Sequence, residues 1–446
     1  MGFTNDPTSG PPEEPEQNPF KGTPFEALFS GGGGAGLGPA GFGGMDLSAL
    51  MGQVQAMMQP YDGPINWDVA IDMARRAAAQ QPDPSPTARD KDAVADAVRL
   101  ADHWLDSATD LPSGVTTTAA WSRAEWIVNT TDAWKVLVEP IAAQAVDSLG
   151  KALPEEARAM AGPLIGMLSK ATGAMVASQV GSGLGALAGE VLGATDIGLP
   201  LAAPGVAALV PENVKAFAGG LDVDDADVTL YLALREAAHQ RLFANVPWLR
   251  EHLIGAVTDY ARGIEINTSA MEEQVRGLDL TNPAALQDAF EGGMFDLAQS
   301  PAQRAALQRL EITLALVEGW VDEVVGQATA ERMPAAAKLQ EAVRRRRAAG
   351  GPAEQTFASL VGLELRPRRL RDASTLWGSL RTRQGTEARD GVWMHADLLP
   401  TASDLDDPLG FREDATAPES LSLTDEDFEA GLRGLLDGPG DDRPQE

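Results

Sequence analysis

Apolar side chains recur along this chain with the 3.6-residue period of a helix, and the alternation that marks half-buried strands is scarce. Val94, Val98, Ala101 and Leu105 fall at i, i+4, i+7 and i+11, and the segments 67–80, 88–109 and 117–149 share that spacing, with Pro or Gly between them. Folded structure is therefore expected from near Trp67. The same pattern predicts a short helix over Asn213–Ala218 and a longer one from about Ala226 to Pro247, with Asp227 capping its start. A helix from Trp248 to Ala261 should turn back, another should begin at Asn282-Pro283, and a long one should run from Pro301 to about Ala330. That last helix carries Leu307, Leu310, Leu314, Val317, Val321 and Val324 along one stripe. Ala, Leu and Glu dominate the centre of the chain, so the expected fold class is mainly α.

One stretch departs from this amphipathic rule. Gly173, Ala177, Gly181, Gly185, Gly189 and Gly193 recur every four residues, which on a helix makes an i±4 ridge almost without side chains. A second helix should cross Gly181, Gly185 and Gly189 at short distance. Residues Ala171 to Gly189 carry no charge, but they are poor in Leu, Ile and Phe, whereas a membrane span needs about 20 predominantly apolar residues. A buried helix is expected here, and no membrane span. Gly183-Leu-Gly185-Ala-Leu-Ala188 matches the dinucleotide pattern only formally, because no strand is expected before it and the match falls in mid-helix.

Toward both ends the periodicity fades. Residues 1–44 cluster Pro and Glu and then Gly31 to Gly34, a composition that cannot offset its ordering entropy by burial. The expected organisation is a tail over 1–62, a helical domain over 63–412 and an acidic tail over 413–446. Leu47, Leu50, Met51 and Val54 give residues 46–59 an apolar face, expected to dock on the body. In the C-terminal tail Phe428, Leu432, Leu435 and Leu436 mark a short amphipathic helix with a cap at Thr424, a surface for a protein partner. A net charge of −30 removes general attraction to nucleic acid or anionic membrane. The absence of cysteine excludes disulfides, thiolate metal sites and a Cys nucleophile. With no basic-then-apolar segment at the N-terminus, a cytoplasmic protein is expected.

The chemistry concentrates on the helix that begins near Ala226. Leu232, Glu236, His239 and Phe243 lie at i, i+4, i+7 and i+11, so a carboxylate and an imidazole share one face. In the zinc-peptidase pattern His-Glu-x-x-His, two imidazoles one turn apart hold the metal and the Glu is general base toward its water. Glu236 and His239 fill the second and fifth places, and Arg235, which offers no lone pair, stands in the first. Glu318 falls within the apolar stripe of the long helix, where a carboxylate needs a cation, a metal or several donors, and Gly319 beside it permits close approach of another element.

Three stretches resemble the zincin-like metallopeptidases: Arg235-Glu236-Ala-Ala-His239-Gln-Arg-Leu-Phe243 running into Val246-Pro-Trp-Leu-Arg250, then Glu318-Gly-Trp-Val-Asp322, then Trp393-Met-His395-Ala-Asp397-Leu-Leu-Pro400-Thr401. The likeness covers roughly residues 65–412. It implies a multi-helix zincin-like domain, a zinc-dependent hydrolase, Glu236 as the catalytic residue, and His239 with Glu318 as metal ligands. Two matching ligands are fewer than the three usual for catalytic zinc, so zinc at low occupancy is expected, with His252 and His395 as substitute ligands.

Other chemistries find little support. Four histidines and no Gly-x-Ser-x-Gly elbow argue against a Ser-His-Asp hydrolase, and no second Glu-x-x-His pair exists for a di-iron bundle. His103 is read as an ordinary surface or core residue. Arg344 to Arg347 are expected mainly to complement a helix C-terminus, with an anionic substrate or the acidic tail as alternatives. Three readings of function stay open: a zinc hydrolase completed by a substitute ligand, a metal-free binding or regulatory module with Arg235 as the cation facing Glu318, and a scaffold whose tails recruit partners. The second carries a definite geometric expectation, an Arg235–Glu318 contact in which Glu236 can share.

Overall fold

The computed structural model describes residues 61–152, 162–263, 300–349 and 369–412. The chain divides into two units, Met1–Gln55 with Asn267–Asp296 and Ala56–Ile266 with Leu297–Glu446, and every described residue belongs to the second. The N-terminal tail with its 46–59 segment, the helix expected at Asn282-Pro283 and the acidic C-terminal tail with its partner helix lie outside the described residues.

Those residues form eleven α-helices and two short strands. In order they are α1 (Trp67–Ala78), α2 (Ala88–Leu105), β1 (Thr117–Ala120), α3 (Arg123–Ala152), α4 (Gly162–Ala188), β2 (Val206–Leu209) and α5 (Pro211–Ala218). Then follow α6 (Asp225–Asn245), α7 (Pro247–Arg262), α8 (Pro301–Thr329), α9 (Ala336–Ala349), α10 (Leu370–Gly391) and α11 (Ala402–Asp406). The mainly helical expectation holds. Among the described residues no helix is long and apolar enough to cross a membrane.

Two expectations about boundaries need correction. The segment 117–149 is not one helix: Thr117–Ala120 is a strand, paired in parallel with β2 in the register Thr117↔Val206 to Ala120↔Leu209. The helix starts only at Arg123 because Ser122 and Glu125 cap each other's backbone, Ser122 Oγ accepting from Glu125 N at 3.1 Å and Glu125 Oε2 from Ser122 N at 2.7 Å. The central helix α6 is capped by Asp224, whose side chain accepts from Ala226 N, and Asp227 already lies in the first turn. Pro247 then ends α6 and opens α7 at the position where a missing N–H costs nothing.

The glycine row works as expected in its middle. A Cβ at Gly181 would fall 2.4 Å from Ala70 O, and one at Gly185 2.5 Å from Ala77 Cβ and 2.7 Å from Ala74 O, so α1 crosses α4 backbone to backbone. Gly189 is different, for its nearest neighbours are carbonyls of α4 itself. The same device recurs on α8, where a Cβ at Gly319 would meet Ala373 Cβ at 2.5 Å and lets α10 approach.

At the centre, α6 is buried on every face from Tyr231 to Leu242, not along one stripe only. Arg241 ties it to α2 through Asp102 at 2.8 Å, and Gln240 Nε2 ties it to β2 through Val206 O at 2.9 Å. Next to β2, the chain from Leu192 to Ala194 pairs back on the strand, with Ala194 N donating to Ala208 O and Val210 N to Leu192 O. That pairing sets Thr195 and Asp196 beside α6.

Candidate functional site

Four elements converge on one buried carboxylate. Glu318, on α8, is fully shielded from solvent. Its Oε2 accepts from Arg235 Nη2 at 2.5 Å, while Oε1 accepts from His239 Nε2 at 3.0 Å and from Arg347 Nη2 at 2.9 Å. Arg235 and His239 come from α6, four residues and about one turn apart, and Arg347 comes from the last turn of α9. The loop that follows Leu192–Ala194 closes the fourth side. Gly198 has φ +78, and a Cβ there would lie 2.9 Å from Glu318 Oε1, so both backbone and space require glycine. Burial by itself would push the Glu318 carboxyl up, but Arg347, His239 and Arg235 outweigh it and hold the group well below the usual carboxylate range.

His239 has an acceptor on each side. Nδ1 faces Arg235 O at 2.8 Å and Nε2 faces the Glu318 carboxylate at 3.0 Å. Glu236 points away from this cluster. Its Oε2 accepts from Thr195 N at 3.1 Å and Thr195 Oγ1 at 2.7 Å, and its Oε1 from Gln240 Nε2 at 3.3 Å. Gly193 leaves just enough room, since a Cβ there would stand 2.9 Å from Glu236 Oε2. Burial raises the Glu236 carboxyl, against the hydrogen bonds of Thr195 and Gln240 and the nearby His239.

Two further carboxylates complete the arrangement. Asp322, one turn beyond Glu318, binds Arg344, accepts from Ser374 Oγ at 2.8 Å and from Gln340 Nε2 at 3.1 Å, and lies 4.0 Å from Arg235 Nη1. Asp196 pairs with Arg346 at 2.9 Å, accepts from Leu192 N at 2.9 Å and lies 3.8 Å from Arg347. Burial would raise Asp196, but Arg346 and Arg347 bring it below the ordinary range.

The expected Arg235–Glu318 contact is present, but Glu236 takes no part in it. Sequence reading missed the second guanidinium, Arg347, and the role of its neighbours: Arg344, Arg346 and Arg347 each pair with a carboxylate, Asp322, Asp196 and Glu318 respectively, where helix-end stabilisation was the main expectation. Arg345 alone faces outward, to Glu341 at 2.9 Å. His252 and His395 make their contacts elsewhere. His252 sits edge-on to Trp248 with ring centroids 5.6 Å apart, and the exposed His395 accepts from Asp397 N at 3.2 Å. His103 is a surface residue near Asp106.

The donor set does not fit catalytic zinc. His239 and Glu318 are two of the three protein ligands usual for catalytic zinc, and both Glu318 oxygens accept hydrogen bonds from guanidiniums, Oε2 from Arg235 and Oε1 from Arg347. Among the described residues no group of three or more His, Asp or Glu side chains could hold a metal ion.

The sequence model of the zincin-like metallopeptidases matches residues 65–411. The chain belongs to that family. The fold is also similar to that of a crystal structure from Chloroflexus aurantiacus, described as "a putative hydrolase with a novel fold". The two share 21% sequence identity and superpose with a TM-score of 0.56 over 77% of this chain and 96% of the other, a likeness of fold. No curated protein matches the zincin-like chain.

Proposed function

We propose that this zincin-like protein is a metal-free binding or regulatory module, in which Arg235 takes the place of the family's first zinc-binding histidine and supplies a fixed cation in the metal's stead. One observation carries the reading: Glu318, the carboxylate that the family resemblance makes a zinc ligand, is shared among Arg235, His239 and Arg347 with no solvent contact. Two unit charges at about 4 Å interact by roughly 4 kcal/mol at a protein-like effective dielectric, so a divalent ion near either guanidinium meets roughly twice that repulsion. Engagement of the Glu318 carboxylate by two guanidiniums removes the attraction that would offset it.

The same cluster accounts for what the fold retains. A carboxylate held by two guanidiniums and an imidazole pins α6, α8 and α9 together and packs against the loop at Gly198, which keeps the zincin scaffold in one geometry. Glu236, held by Thr195 and raised by burial, then serves packing and not general-base chemistry.

Zinc titration of the full chain beside its Arg235→His variant tests this. The parent should bind zinc weakly or not at all and show no chelator-sensitive peptide hydrolysis, and the variant should bind at least tenfold more tightly. Zinc-stimulated hydrolysis by the parent would overturn the reading.

A further inference from the structure

Guanidiniums from two helices reach Glu318, and they hold different oxygens. Arg235, on α6, stands in the first place of the His-Glu-x-x-His pattern and donates to Oε2 at 2.5 Å. Arg347, on α9, donates to Oε1 at 2.9 Å. Oε1 is also the oxygen that His239 Nε2 faces, at 3.0 Å. An ion shared by His239 and Glu318, the two ligands of the family pattern that this chain retains, would therefore take its carboxylate donor from Oε1, the atom that Arg347 already holds. Partners of a ligand atom tune its strength, and a guanidinium on that atom both weakens it as a donor and sets a like charge beside the ion.

Arg347 is placed there by contacts formed without position 235. On the same helix, Arg344 pairs with Asp322, one turn beyond Glu318 on α8, and Arg346 pairs with Asp196 at 2.9 Å. Asp196 also lies 3.8 Å from Arg347. Arg347 is 4% exposed, so water and salt screen its charge little. Against the burial that pushes the Glu318 carboxyl up, Arg347 is the strongest of the groups that hold it down, ahead of His239 and Arg235.

We propose that Arg347 is a second metal-excluding residue, independent of Arg235: it holds the one Glu318 oxygen that an ion on His239 would have to share. Restoring a histidine at position 235 then recovers only part of the zinc affinity that the two arginines together withhold. The proposal rests on the metal-free reading and names a second residue that enforces it.

Zinc is titrated calorimetrically into the full chain as parent, as Arg235→His and as the double variant Arg235→His with Arg347→Met. The double variant should bind zinc at least tenfold more tightly than Arg235→His. Arg235→His with Arg347→Lys keeps a charged donor at this position and should bind like Arg235→His. So should Arg235→His with Arg345→Ala, which removes a neighbouring arginine that pairs with Glu341 at the surface. Circular dichroism checks that each variant folds; if Arg347→Met does not, Arg347→Gln takes its place, with the same tenfold gain expected. Equal zinc affinity of the double variant and Arg235→His, or an equal gain from Arg347→Lys or Arg345→Ala, would overturn the proposal. Stoichiometric zinc in the parent would end the metal-free reading and the proposal with it, a failure distinct from equal binding by the variants.

Discussion

Arg235→Ala removes one of the two guanidiniums that hold Glu318. Arg235 is 5% exposed and its contact with Glu318 is 2.5 Å, so solvent cannot replace the lost guanidinium. Removing one partner of a buried pair costs roughly 3–5 kcal/mol, because the other is left buried and undercompensated. Arg347 and His239 remain on Oε1 and keep Glu318 ionised, which places the loss at the lower end, about 3 kcal/mol. At roughly 2 °C per kcal/mol, the lower slope for large domains, the melting temperature should fall by about 6 °C. Differential scanning calorimetry with urea unfolding would measure it. Arg345→Ala is the control, because Arg345 pairs with Glu341 at the surface and should cost no more than about 0.5 kcal/mol. An Arg235→Ala protein that melts within about 1 °C of the parent would refute the reasoning, since Glu318 would then not depend on this cation.

Acid should expose the same cluster. Glu318 is held below its ordinary value of 4.5, so its contribution is complete above that pH and is lost as pH falls below it; urea midpoints between pH 6 and pH 3 should drop for the parent and drop less for Glu318→Gln. Thr195→Val removes the hydroxyl donor to Glu236 and should cost roughly 1.5–3 kcal/mol at pH 8, with a smaller loss at pH 5, because that bond favours the ionised form; equal losses at the two pH values would contradict it. Gly185→Leu drives a side chain into Ala77 and Ala74 and should cost at least about 1–3 kcal/mol in a thermal melt, whereas Gly189→Ala, which meets no other helix, should stay near the parent.

Much of this arrangement is legible in the sequence where the signal is local. The 3.6 period marks α2 and α8, the glycine row marks the α1–α4 crossing, and Glu318 stands out as a carboxylate inside an apolar stripe. The Arg235–Glu318 pair follows from that expense together with the family resemblance. Other parts depend on chain segments far apart. Asp196 and Arg346 are 150 residues from each other and carry no shared motif, so the arginines of α9 look like helix-end charges until the fold brings them to their acids. β1 and β2 are four residues each and exist because they pair, not because either alternates. Ser122 and Glu125, a capping box in plain sequence, could have moved the start of α3 to its true place. Asp224, Asp225 and Asp227 all suit a helix start, and only the backbone angles choose among them.

The central claim is that an arginine-held carboxylate occupies the place of a zinc site. Elemental analysis of the full chain, purified without added metal and again after dialysis against zinc, addresses it most directly. The account predicts well under one zinc per chain in both preparations; stoichiometric zinc that a chelator removes, with loss of thermal stability, would contradict it.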